Sequence, residues 1–176
     1  MNLDVLRAHY ARFLGDITES QSEDEIEIAQ WVRPEFASVS TLGLCRKRIT
    51  VIYPQELVCS VKPEQAGAAQ VLVRATLEVI ASSGRGMVHQ SVISNPEPLL
   101  AETQIHGVLV AAHPYLDDEF NVLFGPEKSV LVDVMTLIPL TAAEAARARG
   151  GNAEELLDAF EAANPDLTDV TRPSAL

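Results

Sequence analysis

Helical periodicity marks two long stretches of the chain. In residues 3–14 and again in residues 63–83, apolar side chains recur at every third or fourth position, and a glycine, Gly15 or Gly84, follows each stretch as a C-terminal stop. The two stripes are Leu3, Leu6, Tyr10, Phe13 and Leu14, and Ala69, Leu72, Val73, Thr76, Leu77 and Ile80. The pattern predicts two amphipathic helices, the second covering one face of a sheet.

Short apolar or alternating runs predict the strands of that sheet. The predicted strands are residues 25–28, running toward Trp31; 36–44, with a bend at Gly43; 48–53; 56–61; 87–93, as a strand or an extended piece; and 105–112. Pro54-Gln55 is short enough to join 48–53 and 56–61 as an antiparallel hairpin. That register would set Cys59 opposite Thr50, and Cys45 would then lie too far away to form a disulfide with Cys59.

The most ordered pattern of the chain runs from Val130 to Phe160. Residues 130–140 form an apolar run that predicts a strand buried on both faces, and Pro139 is expected to end its ladder because proline has no N–H to donate. Thr141 and Glu144 then stand at the spacing of a capping box. A first short helix, a Gly150-Gly151 break and a second helix over 152–160 are expected to follow.

Together these elements predict an α+β (mixed α/β) fold with a central, mostly antiparallel or mixed sheet covered by helices. We expect one domain over residues 1–163, in which 1–34 form an N-terminal helix and an acidic stretch, followed by a polar C-terminal tail over 164–176. The first twenty residues have no apolar core of signal-peptide length, and no stretch is long and apolar enough to cross a membrane. The chain is therefore expected to be cytoplasmic and not bound to a membrane.

The charge of the chain narrows the kinds of partner that it can bind. A formal net charge of −12 argues against nucleic acid, whose phosphates would repel the protein, and is compatible with a basic protein partner. The acids concentrate between Arg12 and Arg33 and in the loop over 114–120. They form either a solvated face or an anionic contact surface, for which the candidates are Glu19, Glu23, Asp24, Glu25, Glu27, Asp117, Asp118 and Glu119.

Few residues are arranged in the pattern of a chemical site. The four histidines are scattered without metal-ligand spacing, and no glycine-rich loop joins a strand to a helix, so we expect no metal and no cofactor. Cys45 precedes Arg46-Lys47-Arg48, whose charges would lower the pKa of its thiol; the alternative is a basic edge strand. Asp133 interrupts an apolar strand, and we favour an exposed edge over a buried position with a partner.

Several motifs, in their order along the chain, resemble those of the suppressor of fused (SUFU) domain family. The motifs are Ser40 to Leu44, Pro54 to Ser60, Asn95 to Leu99, Met135 to Glu144 with Glu155 to Leu157 after the glycines, and Arg172 to Ser174. The resemblance covers most of residues 35–176 and is of the bacterial type.

The resemblance implies a function as well as a mixed α/β domain. Animal members of the family bind and restrain a transcription factor, and bacterial members are similar to proteins proposed as immunity proteins, so we expect a non-enzymatic protein-binding domain. Its partner would be a protein, such as a basic toxin, that it binds and neutralises or otherwise sequesters. The alternative is a cysteine-dependent hydrolase using Cys45 or Cys59, which would require a reactive thiol.

Overall fold

In the computed structural model, which describes residues 2–176, helices pack on both faces of one eight-stranded mixed sheet. The helices are α1 (Leu3–Leu14), α2 (Ala66–Ser83), α3 (Ala142–Arg147) and α4 (Ala153–Ala163). The strands are β1 (Asp16–Glu23), β2 (Ile26–Val32), β3 (Ala37–Leu42), β4 (Gln55–Val61), β5 (Val92–Ser94), β6 (Ile105–Ala111), β7 (Val122–Phe124) and β8 (Val130–Thr141). The predicted fold class is confirmed.

The strands follow the order β1-β2-β3-β4-β8-β6-β5, and β7 pairs with β8 beside this path. β4 and β8 are parallel, and the other pairs are antiparallel. Because side chains alternate across a strand, β8 sends Met135 and Leu137 to the face covered by α2, and Val132 and Val134 to the face covered by α1. The helices α3 and α4 cover the remainder of the α1 face, where Ile138 packs in their cluster.

The ends of the predicted helices are confirmed by their local geometry. Gly84 ends α2 in the left-handed conformation, at φ 66°, and donates its N–H to the carbonyl of Ile80. At α3 both bonds of the predicted capping box form: the amide of Glu144 donates to Thr141 Oγ1, and the amide of Thr141 donates to Glu144 Oε2. A π-turn that contains Gly151 separates α3 from α4.

The predicted hairpin between residues 48–53 and 56–61 is wrong. β4 is flanked by β3 and β8, so neither of its edges is free, and Cys59 lies opposite Val39. Residues 48–53 instead lie beside the end of α2, where Thr50 exchanges backbone hydrogen bonds with Gly84 and Gly86. A short apolar pattern does not show whether the backbone of a segment forms hydrogen bonds with a neighbouring strand or with the residues that follow a helix.

Two predictions about β8 are also wrong. Pro139 does not end the strand, which continues to Thr141: the pairing with β4 ends at Thr136, so a strand opposes Pro139 on one side only. Asp133 does not lie at an exposed edge, because β4 and β7 flank it, and its partly buried carboxylate lies 3.5 Å from His89 Nε2.

Two segments expected to be irregular contribute to the ordered structure. The stretch after α1, expected as a loop or a solvated face, contains the eight-residue strand β1. The loop over 114–120 is exposed in part, but Phe120 is fully buried against α1. The C-terminal segment, residues 164–176, is polar in composition and nevertheless buries Leu167 and Val170.

Candidate protein-binding surface

The β1–β2 hairpin carries most of the acids that the sequence suggests for a contact surface. Its turn is Asp24-Glu25, with φ angles of 49° and 67°. Two successive left-handed residues make a type I′ turn, whose twist matches that of the strands it joins. All eight side chains of β1 are exposed, whereas β2 buries Ile28, Ala29 and Trp31. The hairpin is therefore anchored through β2, and β1 stays in solvent.

An open groove of about 490 Å³ lies between this hairpin, the 3₁₀ turn Leu44–Arg46 and α2. Its floor is apolar and its rim is charged. The floor is formed by Ile26, Ile28, Leu44, Ile49, Leu77 and Ile80, and the rim by Glu23, Asp24, Lys47, Arg48, Arg74 and Glu78. An apolar floor inside a charged rim is the usual composition of a protein-binding surface.

Ion pairs link the elements that form the rim of the groove. Arg74 of α2 pairs with Glu23 at the end of β1, and Lys47 Nζ lies 3.0 Å from Glu25 Oε2 across the hairpin turn. The hydrogen bond from Lys47 holds the pKa of Glu25 below its usual value. These bonds connect the hairpin to α2 and to Lys47, the residue that follows the turn over 44–46. Because the pairs are exposed, they contribute little to stability and can be exchanged for contacts with a partner.

The predicted acids do not form a single surface. Glu27 points to the opposite face of the sheet, where it pairs with Arg7 of α1. Asp117, Asp118 and Glu119 lie near the other end of α1, where Arg12 Nη2 lies 2.7 Å from Glu119 Oε2. Alternation along β2 explains the division, since Ile26 and Ile28 face α2 while Glu27 and Ala29 face α1. Glu23 and Asp24 line the groove, and Glu25 lies beside it.

Sequence reasoning missed the apolar floor and its cationic rim. The floor residues belong to patterns that predict only secondary structure: Ile26 and Ile28 to an alternating, half-exposed strand, and Leu77 and Ile80 to the core-facing stripe of a helix. These patterns do not show which apolar side chains stay partly exposed, because the exposure of each side chain depends on whether an element distant in the sequence covers it.

A second open groove, of about 590 Å³, lies on another side of the molecule. Its lining is largely polar and includes Arg33, Glu35, Asn164, Asp166 and Thr168. It has less apolar surface to offer a partner than the groove beside α2, which we take as the better candidate surface.

Cys45 does not have the properties of a nucleophile. Burial raises the pKa of its thiol to about 12, and the nearby carboxylate of Glu56 acts in the same direction. Glu56 is fully buried and accepts hydrogen bonds from Thr41 Oγ1 and from the backbone amides of residues 43–45, so its position beside the thiol is fixed. Burial likewise raises the pKa of Cys59 to about 12. Arg46 acts in the predicted direction and lowers the pKa of Cys45, but burial and the carboxylate of Glu56 outweigh it, so the predicted activation of the thiol is wrong.

A buried serine–histidine pair has its hydrogen bonds in the wrong order for catalysis. His113 Nε2 lies 2.9 Å from Ser60 Oγ, and His113 Nδ1 accepts from the backbone amide of Tyr115 at 3.2 Å. An Nδ1 that accepts leaves the ring proton on Nε2, which donates to Ser60 and cannot remove its proton. Burial also lowers the pKa of His113 to about 4. This pair belongs to the core and does not form a catalytic dyad.

Residues 2–176 contain no group of three or more histidine, cysteine, aspartate or glutamate side chains arranged to hold a metal ion. No helix in the same range is both long enough and apolar enough to cross a membrane.

One protein family matches most of the chain. The family model of the suppressor of fused protein (SUFU) matches residues 22–173. Comparison with curated protein sequences finds no match.

Solved structures share the fold at low identity. The crystal structure of a protein described as a SUFU homolog from Neisseria gonorrhoeae FA 1090 is 16% identical, with a TM-score of 0.67 over 99% of this chain and 94% of that one. A structure of the Sufu–Fu complex contains a chain with 14% identity and a TM-score of 0.73, covering 98% and 90%. Drosophila Suppressor of Fused has 15% identity and a TM-score of 0.69; 98% of this chain is covered, and it spans 50% of the fly chain.

Proposed function

The chain belongs to the suppressor of fused family, and on that premise we propose that it is a non-enzymatic protein-binding domain. We further propose that it is of the immunity type: it binds a basic toxin, or sequesters a similar basic protein, and neutralises it by covering its surface. The domain blocks its partner by binding to it and catalyses no reaction on it.

The apolar-floored groove between the β1–β2 hairpin and α2 is the observation that carries this proposal. Floor side chains such as Ile26 and Leu77 are partly exposed, and a partner that covered them would remove apolar surface from water. The charged rim would fix the orientation of the partner, as complementary charges do at protein interfaces.

Two further observations support a protein partner of basic character. A chain of the same fold occurs in a structure of the Sufu–Fu complex. The net charge of −12 would attract a cationic protein, raise its association rate and make binding sensitive to salt.

The state of the candidate nucleophiles supports a non-enzymatic role. The pKa of both thiols is raised to about 12, so both are protonated at neutral pH, whereas a nucleophilic cysteine requires a thiolate. Alkylation of Cys45 by iodoacetamide at or below the rate of a free cysteine is the expected result, and a strongly enhanced rate at neutral pH would contradict the non-enzymatic assignment.

The binding proposal is tested by purifying the protein with the product of the adjacent gene and measuring the dissociation constant against salt concentration. We expect Leu77→Lys, which places a charge on the groove floor, to weaken binding about 10- to 100-fold. Ile52→Lys is the matched control, because Ile52 is 88% exposed and lies outside the groove. Equal effects of the two variants, with no dependence on salt, would contradict the proposal; thermal unfolding of both verifies that they fold.

A further inference from the structure

We propose that β1 is a docking edge, along which an extended segment of the partner, with lysine or arginine at alternate positions, adds to the sheet as a further strand. This inference rests on the proposed function and names the part of the partner that is recognised. It concerns a surface next to the groove and distinct from its floor.

β1 has the geometry of an open sheet edge. It is the terminal strand of the sheet, it is eight residues long, and in residues 2–176 no strand pairs with its outer side. It contains no proline, so every residue that faces its outer side has an N–H to donate. The other terminal strand, β5, has only three residues, and a strand that short offers little backbone for pairing.

The hairpin register identifies which backbone groups face outward. Glu23 and Ile26 flank the two-residue type I′ turn, so they form a hydrogen-bonded pair. Pairs along an antiparallel ladder alternate between hydrogen-bonded and non-hydrogen-bonded. Ser22, opposite Glu27, and Ser20, opposite Ala29, are therefore non-hydrogen-bonded toward β2 and direct their N–H and C=O groups away from it.

A bulge brings the acids of β1 to one face. Asp16 pairs with Val32, Glu19 with Gln30 and Glu23 with Ile26, and the register shifts by one residue between Ile17 and Glu19. Without that shift Asp16 would lie on the face opposite Glu19, since side chains alternate. With it, all three carboxylates lie on the α2 face, and no base occurs in β1.

Charge complementarity favours a basic segment as the strand that binds along β1. Glu23 is paired with Arg74, but Asp16 and Glu19 have no ion-pair partner in residues 2–176. An added strand places every second side chain beside these acids, where a base is favoured. A second copy of β1 would instead oppose acid to acid along the edge, which disfavours self-pairing.

The probe is a decapeptide of alternating lysine and valine, with an alternating glutamate–valine decapeptide as its control. We expect the lysine peptide to shift the ¹⁵N–¹H signals of Ser20 and Ser22 in a titration, and the glutamate peptide to leave them unchanged. In Ser22→Pro, which removes one outward N–H without touching the β2 ladder, the lysine peptide is expected to bind about tenfold more weakly. Ser22→Ala retains the N–H and is expected to bind as the native chain does.

Three results would overturn the docking edge: no shift at β1, shifts that persist with equal affinity in Ser22→Pro, or concentration-dependent dimers that Ser22→Pro abolishes. The same variants are then tested on the purified partner of the binding experiment. If Leu77→Lys weakens that complex and Ser22→Pro does not, the proposed function stands and the docking edge is excluded. Unchanged thermal unfolding of Ser22→Pro verifies that the hairpin is intact.

Discussion

The two ends of the molecule handle charge in opposite ways. At the closed end, formed by α3, α4 and residues 164–176, Arg172 and Glu144 are buried together, with side-chain exposures of 4% and 0%. At the open end, formed by the β1–β2 hairpin and the groove, Arg74 and Glu23 pair with exposures of 35% and 61%. At the closed end the protein's own side chains enclose the charged pair, and the groove that residues 164–168 line is largely polar. The open end leaves the backbone edge of β1 and the apolar floor of the groove accessible.

The buried pair shows how the closed end is completed. Arg172 Nη1 and Nη2 donate to the two carboxylate oxygens of Glu144 at 2.6 and 2.8 Å, and the amides of Thr141 and Ala175 donate to the same carboxylate. Burial alone would raise the pKa of Glu144, but these donors hold it below its usual value. Arg172 also donates to the carbonyl of Pro139, so one side chain connects β8, α3 and the C-terminal segment.

The closed end fixes one arrangement of the chain, whereas the open end has contacts that can change. A buried ion pair contributes little net stability but is costly to break, so it fixes one arrangement of the chain. Exposed pairs contribute little and can exchange partners. A binding surface is therefore expected at the open end, where contacts can change without unfolding the domain.

The largest expected effect comes from removing one member of the buried pair. Arg172→Ala leaves Glu144 buried without its cation, and we expect a loss of about 3–5 kcal/mol in the free energy of unfolding, measured with urea. Arg147→Ala is the control, since it breaks an exposed pair with Glu155 and should cost about 1 kcal/mol or less. Similar losses of unfolding free energy in the two variants would contradict the distinction between the closed end, with its buried pair, and the open end, with exposed pairs.

His113, beside the C-terminal segment, gives the next effect, a dependence of stability on pH. The pKa of His113 is lowered from 6.5 to about 4 by burial, so between these values the unfolded chain binds a proton that the folded chain does not. Stability should therefore fall as the pH decreases from about 6.5 to about 4, by about 3 kcal/mol at 1.36 kcal/mol per pH unit. The contribution is fully present above pH 6.5.

The matched variant is His113→Gln, measured by urea unfolding across the same pH range. It should be less stable than the native chain at neutral pH and should show a shallower slope between pH 4 and 6.5. An unchanged slope would mean that His113 is not the group that titrates.

The smallest expected effect comes from Gly15, in the connection between α1 and β1 at the open end. Gly15, between α1 and β1, has φ 86°, and a Cβ there would lie 2.4 Å from the carbonyl oxygen of Val32. Gly15→Ala should destabilise the protein by about 1–3 kcal/mol, through strain and the clash. Gly67→Ala in α2, where a Cβ meets nothing within 4 Å, should instead stabilise by up to about 1 kcal/mol. Thermal unfolding of the two variants measures both, and shifts of the same sign would contradict this view of the junction.

Sequence predicted the elements that bury a periodic apolar face and missed those that do not. α1, α2, β8 and the Thr141–Glu144 capping box follow from local pattern, and the resemblance to the suppressor of fused family was confirmed. β1 was missed because a strand exposed on both faces carries no hydrophobic alternation. Its ladder is determined by β2, which local pattern alone does not indicate.

The candidate surface was less predictable because its parts are distant along the chain. The groove combines residues of the β1–β2 hairpin, the turn over 44–46 and α2. The Arg172–Glu144 pair likewise joins positions 28 residues apart. The charge pattern predicts an acidic contact surface, but alternation in β2 divides those acids between two faces of the sheet. Cations on α1 and α2, together with Lys47 after the 44–46 turn, pair with several of them.

Amide hydrogen–deuterium exchange of the protein, alone and bound to its purified protein partner, tests most directly whether the open end is the binding surface. We expect binding to slow exchange in residues 16–28 and in the groove-lining part of α2, with the amides of Ser20 and Ser22 among the most strongly protected. The closed end, from residue 142 to 176, should exchange at the same rate in both states. Protection confined to the closed end, with the hairpin exchanging as in the free protein, would contradict the account.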